Sequence, residues 1–281
     1  MIFSQVAIIN TVMDFSVKIS LPSGKTVRVP ELKNKDYFTI LKFCENEDLE
    51  GLCNFFNHCL FNDLLSLDIV DKFYILLLVR MMYVDPELVL ESENKNNINF
   101  SIQNIVDNID STEFDFTKVY RDDKYILELG LPDSLYFDSL NDIFLSVIKK
   151  IRISDTEIDF SSLKEGEREE VLNYIPNSIF TILKKHIMAI SSDLSDFVVI
   201  DGSDEFGIKG INLDIVSNGV ITFLMSIFST GLTTFFEMMF VFTGKLGFTA
   251  QDFLNLTPLD SKVILNIYKK EQSEREEELK N

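Results

Sequence analysis

The sequence predicts an α+β fold: an N-terminal β-hairpin and further short hairpins packed on a mainly helical body, with a helical C-terminal half. Three observations carry this. Apolar and polar residues alternate from Phe15 to Val29 around a Pro22-Ser23-Gly24 turn, the period of a strand pair with one face buried. Three stretches between 34 and 85 instead repeat apolar residues every three or four positions, the period of a helix face. The same spacing dominates from residue 165 onwards, interrupted by Pro176 and by the Gly-rich "DGSDEFGIKG".

Taken in order, the hairpin places Val17 and Val27 on its inward side. "NKDYFTILKFCEN" and "EDLEGLCNFFNHCLFND" read as two helices. "LDIVDKFYILLLVRMMYVD" reads as a third, capped by Ser66 and stopped at Asp85-Pro86. It is apolar on nearly every side, which marks a helix buried between layers. "ELVLESENKNNINFSI" predicts a hairpin turning at Asn94–Asn97, and "FTKVYRDDKYILELGLP" another turning at Asp122-Asp123. "IRISDTEIDF" predicts a short strand pair. "FSSLKEGEREEVLNYIPNSIFTILKKHI" presents Val171, Leu172, Ile175, Ile179, Ile182 and Leu183 on one face and splits at Pro176. The expected organisation is an α+β body over 1–200, a candidate linker over 201–210 and an apolar helical segment over 211–268. A charged, solvated tail over 269–281 follows.

Length and composition narrow the function. The 281 residues and 46% hydrophobic content support a real core. With 26 basic against 45 acidic side chains the net charge is −19, which repels phosphate backbones and argues against nucleic-acid binding. Two histidines leave little for acid–base chemistry near neutral pH. Three cysteines argue against a disulfide scaffold and for a reducing cytoplasm, and the N-terminus lacks the basic region and cleavage site of a signal peptide.

No catalytic constellation emerges, and neither a cofactor nor a metal is expected. Gly24-Lys25-Thr26 imitates the end of a P-loop, but Ile19 stands where the first glycine is needed and a strand, not a helix, follows. Cys44, Cys53, His58 and Cys59 have the wrong gaps for a zinc knuckle. Asp122-Asp123 and the Asp201, Asp204, Glu205 group read as solvated acidic loops, without the spacing of a calcium loop.

Residues 219–236, "GVITFLMSIFSTGLTTFF", carry no charge and reach the minimum length of a membrane span. Ser226, Ser229, Thr230, Thr233 and Thr234 within them, Glu237 just beyond, the absence of a flanking basic cluster and the break at Gly231 favour buried helices instead. A membrane anchor over 219–242 is the alternative. On a continuous helix Phe228, Phe235, Met239 and Phe242 form one stripe, with Phe236 and Phe240 beside it. Apolar on so many sides, the segment is expected to bind a partner through these six residues.

The order of the pieces adds a resemblance. An "LPSGK" hairpin leads to Lys35-Asp36-Tyr37; a Glu-rich helix start leads to the Ile175-Pro176 break; and "GFTAQDFLNLTP", Gly247 to Pro258, closes the series. In this order the chain resembles the baseplate hub and hub-assembly proteins of T-even-like contractile-tailed bacteriophages. The resemblance implies a non-enzymatic protein required to build the tail baseplate. It acts either as a hub component or as a factor that leaves before the virion is complete. The implied partners are other tail or baseplate proteins or a second copy. The implied location is the host cytoplasm during assembly or the virion's tail baseplate.

Overall fold

The computed structural model describes residues 17–29, 31–61, 67–91, 97–112, 117–121, 125–153, 156–198, 211–229 and 231–280. Strands β1 (Val17–Ser20) and β2 (Thr26–Val29) pair antiparallel, with Val17 opposite Val29 and Ile19 opposite Val27. Gly24 closes the turn at φ +79°, a conformation that a side chain would strain, and its N–H donates to the Leu21 carbonyl at 2.8 Å. Phe15 lies outside the described residues. Leu21, Val27 and Val29 are buried, but Val17 is 41% exposed, against expectation, because β1 is the outer strand of a two-stranded ribbon. Val27→Asp should therefore cost roughly 2–4 kcal/mol by burying an unpaired charge, and Val17→Asp and Lys25→Ala under about 0.5 kcal/mol each. Urea unfolding checks this, and a large loss from the Lys25 change would contradict the turn assignment.

Helices α1 (Asn34–Glu45), α2 (Leu49–Cys59) and α3 (Ile69–Tyr83) follow. Residues 69–80 of α3 are buried without a gap, as an all-round apolar helix requires. Its cap is Asp68, whose carboxylate accepts the Val70 and Asp71 N–H groups at 3.0 Å each; Ser66, the expected cap, lies outside the described residues. The charged residues buried on α3, Asp71, Lys72 and Arg80, all find partners. Asp71 accepts both the N–H (3.1 Å) and the hydroxyl (2.6 Å) of Ser23, so the hairpin turn is pinned to the helix start. Lys72 donates to Asn57 Oδ1 (3.2 Å) and to the Asp133 carbonyl (2.6 Å).

Strands β3 (Glu87–Glu91) and β4 (Asn97–Ser101) pair as expected, with residues 92–96 of the connection outside the described residues. Helix α4 (Ile102–Asp110) was not anticipated, although Ile102, Ile105, Val106 and Ile109 form a fully buried helical stripe. The next two strand pairs, β5 (Thr117–Arg121) with β6 (Tyr125–Gly130) and β7 (Ile148–Ile153) with β8 (Thr156–Asp159), join into one antiparallel sheet in the order β5-β6-β7-β8. The connection between β6 and β7 carries a short helix, α5 (Leu140–Val147), capped by Ser139. Asp122-Asp123 and the 201–210 segment lie outside the described residues.

Helices α6 (Glu165–Tyr174) and α7 (Asn177–Phe197) divide at Pro176. Residues 211–218 are stapled to α7, since the Leu213 and Ile215 N–H groups donate to Ser195 and Ser191 Oγ at 3.0 and 3.1 Å. Asn218 then exchanges two hydrogen bonds with the Phe137 backbone (2.9 and 3.0 Å). The C-terminal helices are α8 (Gly219–Phe228), α9 (Leu232–Gly244), α10 (Ala250–Asn255) and α11 (Pro258–Lys280). Helix α8 sits against α1, α2 and α3, with Phe228 packed on Phe56 and Phe223 on Phe73 at ring-centroid distances of 5.7 and 6.0 Å.

Candidate partner-binding surface

Several residues of the motifs that carried the resemblance turn inwards, although the Glu-rich start of α6 is exposed. Ser23 of "LPSGK" holds Asp71. In Lys35-Asp36-Tyr37, the Asp36 carboxylate accepts the Lys33 N–H (3.4 Å), and Tyr37 donates its buried hydroxyl to the Phe228 carbonyl (3.0 Å). "GFTAQDFLNLTPLD" contains two successive Thr-x-x-Asp caps. Thr249 Oγ accepts the Asp252 N–H (3.1 Å) at the start of α10, and Thr257 Oγ accepts the Asp260 N–H (3.0 Å) at the start of α11, where Pro258 takes the first helical position. Asn34 ties this junction to α1, donating its side-chain amide to the Phe253 carbonyl (2.8 Å) and Ser261 Oγ (2.7 Å). Ser23, Asp36, Tyr37, Thr249, Thr257 and Asn34 thus serve as struts within the fold.

Taken as one run, residues 219–244 are long and apolar enough to cross a membrane, with a mean hydropathy of 1.6 over an 18-residue stretch. The run is interrupted: α8 ends at Phe228 and α9 begins at Leu232, with Gly231 at φ +72°. At 1.5 Å per residue the two helices measure about 15 and 20 Å, against about 30 Å of hydrocarbon. The end of α8 is also provided for by the body. A helix leaves its last carbonyls unpaired and slightly negative. Here buried Arg80 donates from Nε to the Ile227 carbonyl (2.7 Å), Tyr37 serves Phe228, and the Cys44 thiol donates to the Met225 carbonyl (3.6 Å). The Arg80 guanidinium reaches the Asp85 carbonyl as well.

This break separates the six residues expected to meet a partner. Phe228, Phe235 and Phe242 are fully buried in the chain's own core. Phe235 stacks on Phe38 (5.2 Å) and meets Phe253 edge-on (5.4 Å), while Phe242 packs on Phe253 and Phe248 (5.0 and 5.2 Å). Met239 is half-buried against that core. Phe236 and Phe240, one turn apart, are 44% and 68% exposed. A continuous-helix stripe therefore does not form, because Phe228 belongs to a different helix from the rest. Two residues that sequence reasoning passed over join the exposed pair. Phe38 on α1 meets Phe236 edge-on at 5.6 Å, and Lys42 places Nζ 4.2 Å from the centre of the Phe38 ring. The spacing Lys35, Phe38, Thr39, Lys42 was the available signal, a helix face with no apolar residue except one aromatic.

The four zinc-like residues of α2 and α1 do not converge, and among the described residues no group of three or more His, Cys, Asp and Glu side chains is placed to hold a metal. Cys53 is buried and Cys59 exposed. Burial pushes the half-buried Cys44 thiol up to about 11, against the opposing pull of a backbone hydrogen bond. A thiol reagent should therefore label Cys59 rapidly in the folded protein and all three cysteines only after denaturation. Elemental analysis should find no stoichiometric zinc. Fast labelling of Cys44, or one zinc per chain, would contradict these assignments.

The family model described as T4 bacteriophage base plate protein matches residues 12–195, from the N-terminal hairpin through nearly all of α7. The match ends before α8, so the "GFTAQDFLNLTP" element and the exposed aromatic pair lie beyond it. No match is found among characterised proteins or among solved structures. With more than half of its length matched, the chain belongs to the T4 bacteriophage base plate protein family.

Proposed function

We propose that this baseplate protein is a non-enzymatic hub component or hub-assembly factor that acts by contact with other tail proteins. The observation that carries the reading is the two-faced helix α9. One side sends Phe235 and Phe242 into the core, while the other holds Phe236 and Phe240 in solvent. Leaving Phe240 mostly and Phe236 partly in water forgoes a share of the roughly 1.5–3 kcal/mol that full burial of each side chain would gain. A binding surface recovers that energy on association. The high negative charge, −19, keeps the free form soluble until then.

The test is isolation of an affinity-tagged chain from infected cells, with mass spectrometry of intact virions in parallel. Tail proteins are expected to co-purify with the wild type. Presence in the finished virion identifies a hub component, and presence only in assembly intermediates identifies an assembly factor. Recovery without any tail protein would overturn the reading.

A further inference from the structure

We infer that the outer face formed by α1 and α9 receives an acidic amphipathic helix from another protein of the tail. This rests on the contact function proposed above and goes further by naming the chemistry of the occupant. The apolar part of the face is Phe236 and Phe240, joined to α1 through the edge-on contact of Phe236 with Phe38. The polar part is basic on α1, while α9 adds one exposed acid, Glu237, between the two phenylalanines. Lys35 and Lys42, both exposed, lie seven residues apart on α1 and so share the face that carries Phe38, and Lys42 sits over the Phe38 ring. No acidic residue stands among Lys35, Phe38, Thr39 and Lys42, in a chain whose acidic side chains outnumber the basic ones by 45 to 26. Apolar anchors one turn apart suit the i, i+4 anchors of a docking helix, and two lysines beside them suit carboxylates flanking its apolar stripe. A second copy is a poor occupant, because it brings a further −19 to the encounter.

The probes are two synthetic helical peptides with identical leucine stripes, one flanked by glutamates and the other by lysines. Binding to the full chain is read by fluorescence anisotropy at low salt. The glutamate peptide is expected to bind at least about tenfold more tightly, with the advantage shrinking as salt screens the charges. Lys35→Glu with Lys42→Glu should reverse the order of the two peptides, and Phe236→Ser with Phe240→Ser should weaken both. Equal binding of the two peptides, no measurable binding of either, or a preference unchanged by the lysine reversals would overturn the inference. The charge-reversed chain also separates the two levels of the reading. If tail proteins still co-purify with it, the acidic occupant is wrong while the contact function stands. If none co-purify even with the wild type, the contact function itself fails, whatever the peptides do.

Discussion

Phe235→Glu is expected to unfold the C-terminal helices, whereas Phe240→Glu, five residues away on the same helix, should leave a folded chain. Phe235 is 1% exposed and lies between the rings of Phe38 and Phe253. Removing its ring costs about 3–5 kcal/mol, and burying a carboxylate there adds several more. The sum matches the whole stability of an ordinary domain, about 5–15 kcal/mol. Phe240 is 68% exposed, so a charge at that position stays in water and should shift stability by under about 0.5 kcal/mol. Circular dichroism with thermal melting reads both. If the two variants melt alike, the division of α9 into a core side and a solvent side is wrong.

The second large effect is expected at Arg80. It is 4% exposed and bonds two carbonyls from different parts of the chain, Ile227 at the end of α8 and Asp85 after α3. Burial lowers its pKa, while the neighbouring Tyr37 and Asp85 act in the opposite sense. A guanidinium nonetheless stays charged at any physiological pH, so it complements the negative end of α8. Arg80→Ala removes the donors and leaves the buried Ile227 carbonyl and the part-buried Asp85 carbonyl without them, a loss of roughly 2–5 kcal/mol. Tyr37→Phe, which removes the hydroxyl donated to the Phe228 carbonyl, should cost about 1 kcal/mol. Urea denaturation monitored by circular dichroism gives both values. An Arg80→Ala variant as stable as the wild type would mean that the end of α8 is not held by the body.

The elements legible in the sequence were those with a complete local signal. The β1–β2 hairpin has both alternation and a turn glycine, α3 has apolar residues on every side, and Pro176 cuts α6 from α7. Helices α4 and α5 escaped because each abuts a strand without an intervening turn, α4 directly after Ser101 and α5 directly before Ile148. Their buried stripes then merge with the strand pattern. The joining of β5–β6 with β7–β8 was not legible either, since register between hairpins is set by tertiary packing. At the candidate surface the composition of the 219–242 segment was informative and its geometry was not. Hydropathy cannot tell which phenylalanines of a Phe-rich run face inwards when a break at Gly231 resets the helical phase. Phe38 and Lys42 lay almost 200 residues before the helix they flank, beyond the reach of any periodicity argument.

The central claim, that the chain works in the baseplate through Phe236 and Phe240, is tested most directly by complementation. A phage lacking the native gene is supplied with the Phe236→Ser, Phe240→Ser chain, and completed baseplates are counted by electron microscopy. The variant should stay folded and lose at most about 1–2 kcal/mol, because Phe240 is 68% exposed and Phe236, at 44%, is partly covered by Phe38 and Phe235. We expect baseplate completion to fall by at least about tenfold, equivalent to a loss of roughly 1.4 kcal/mol or more in association. Baseplates completed at the wild-type rate by a folded double variant would contradict the claim.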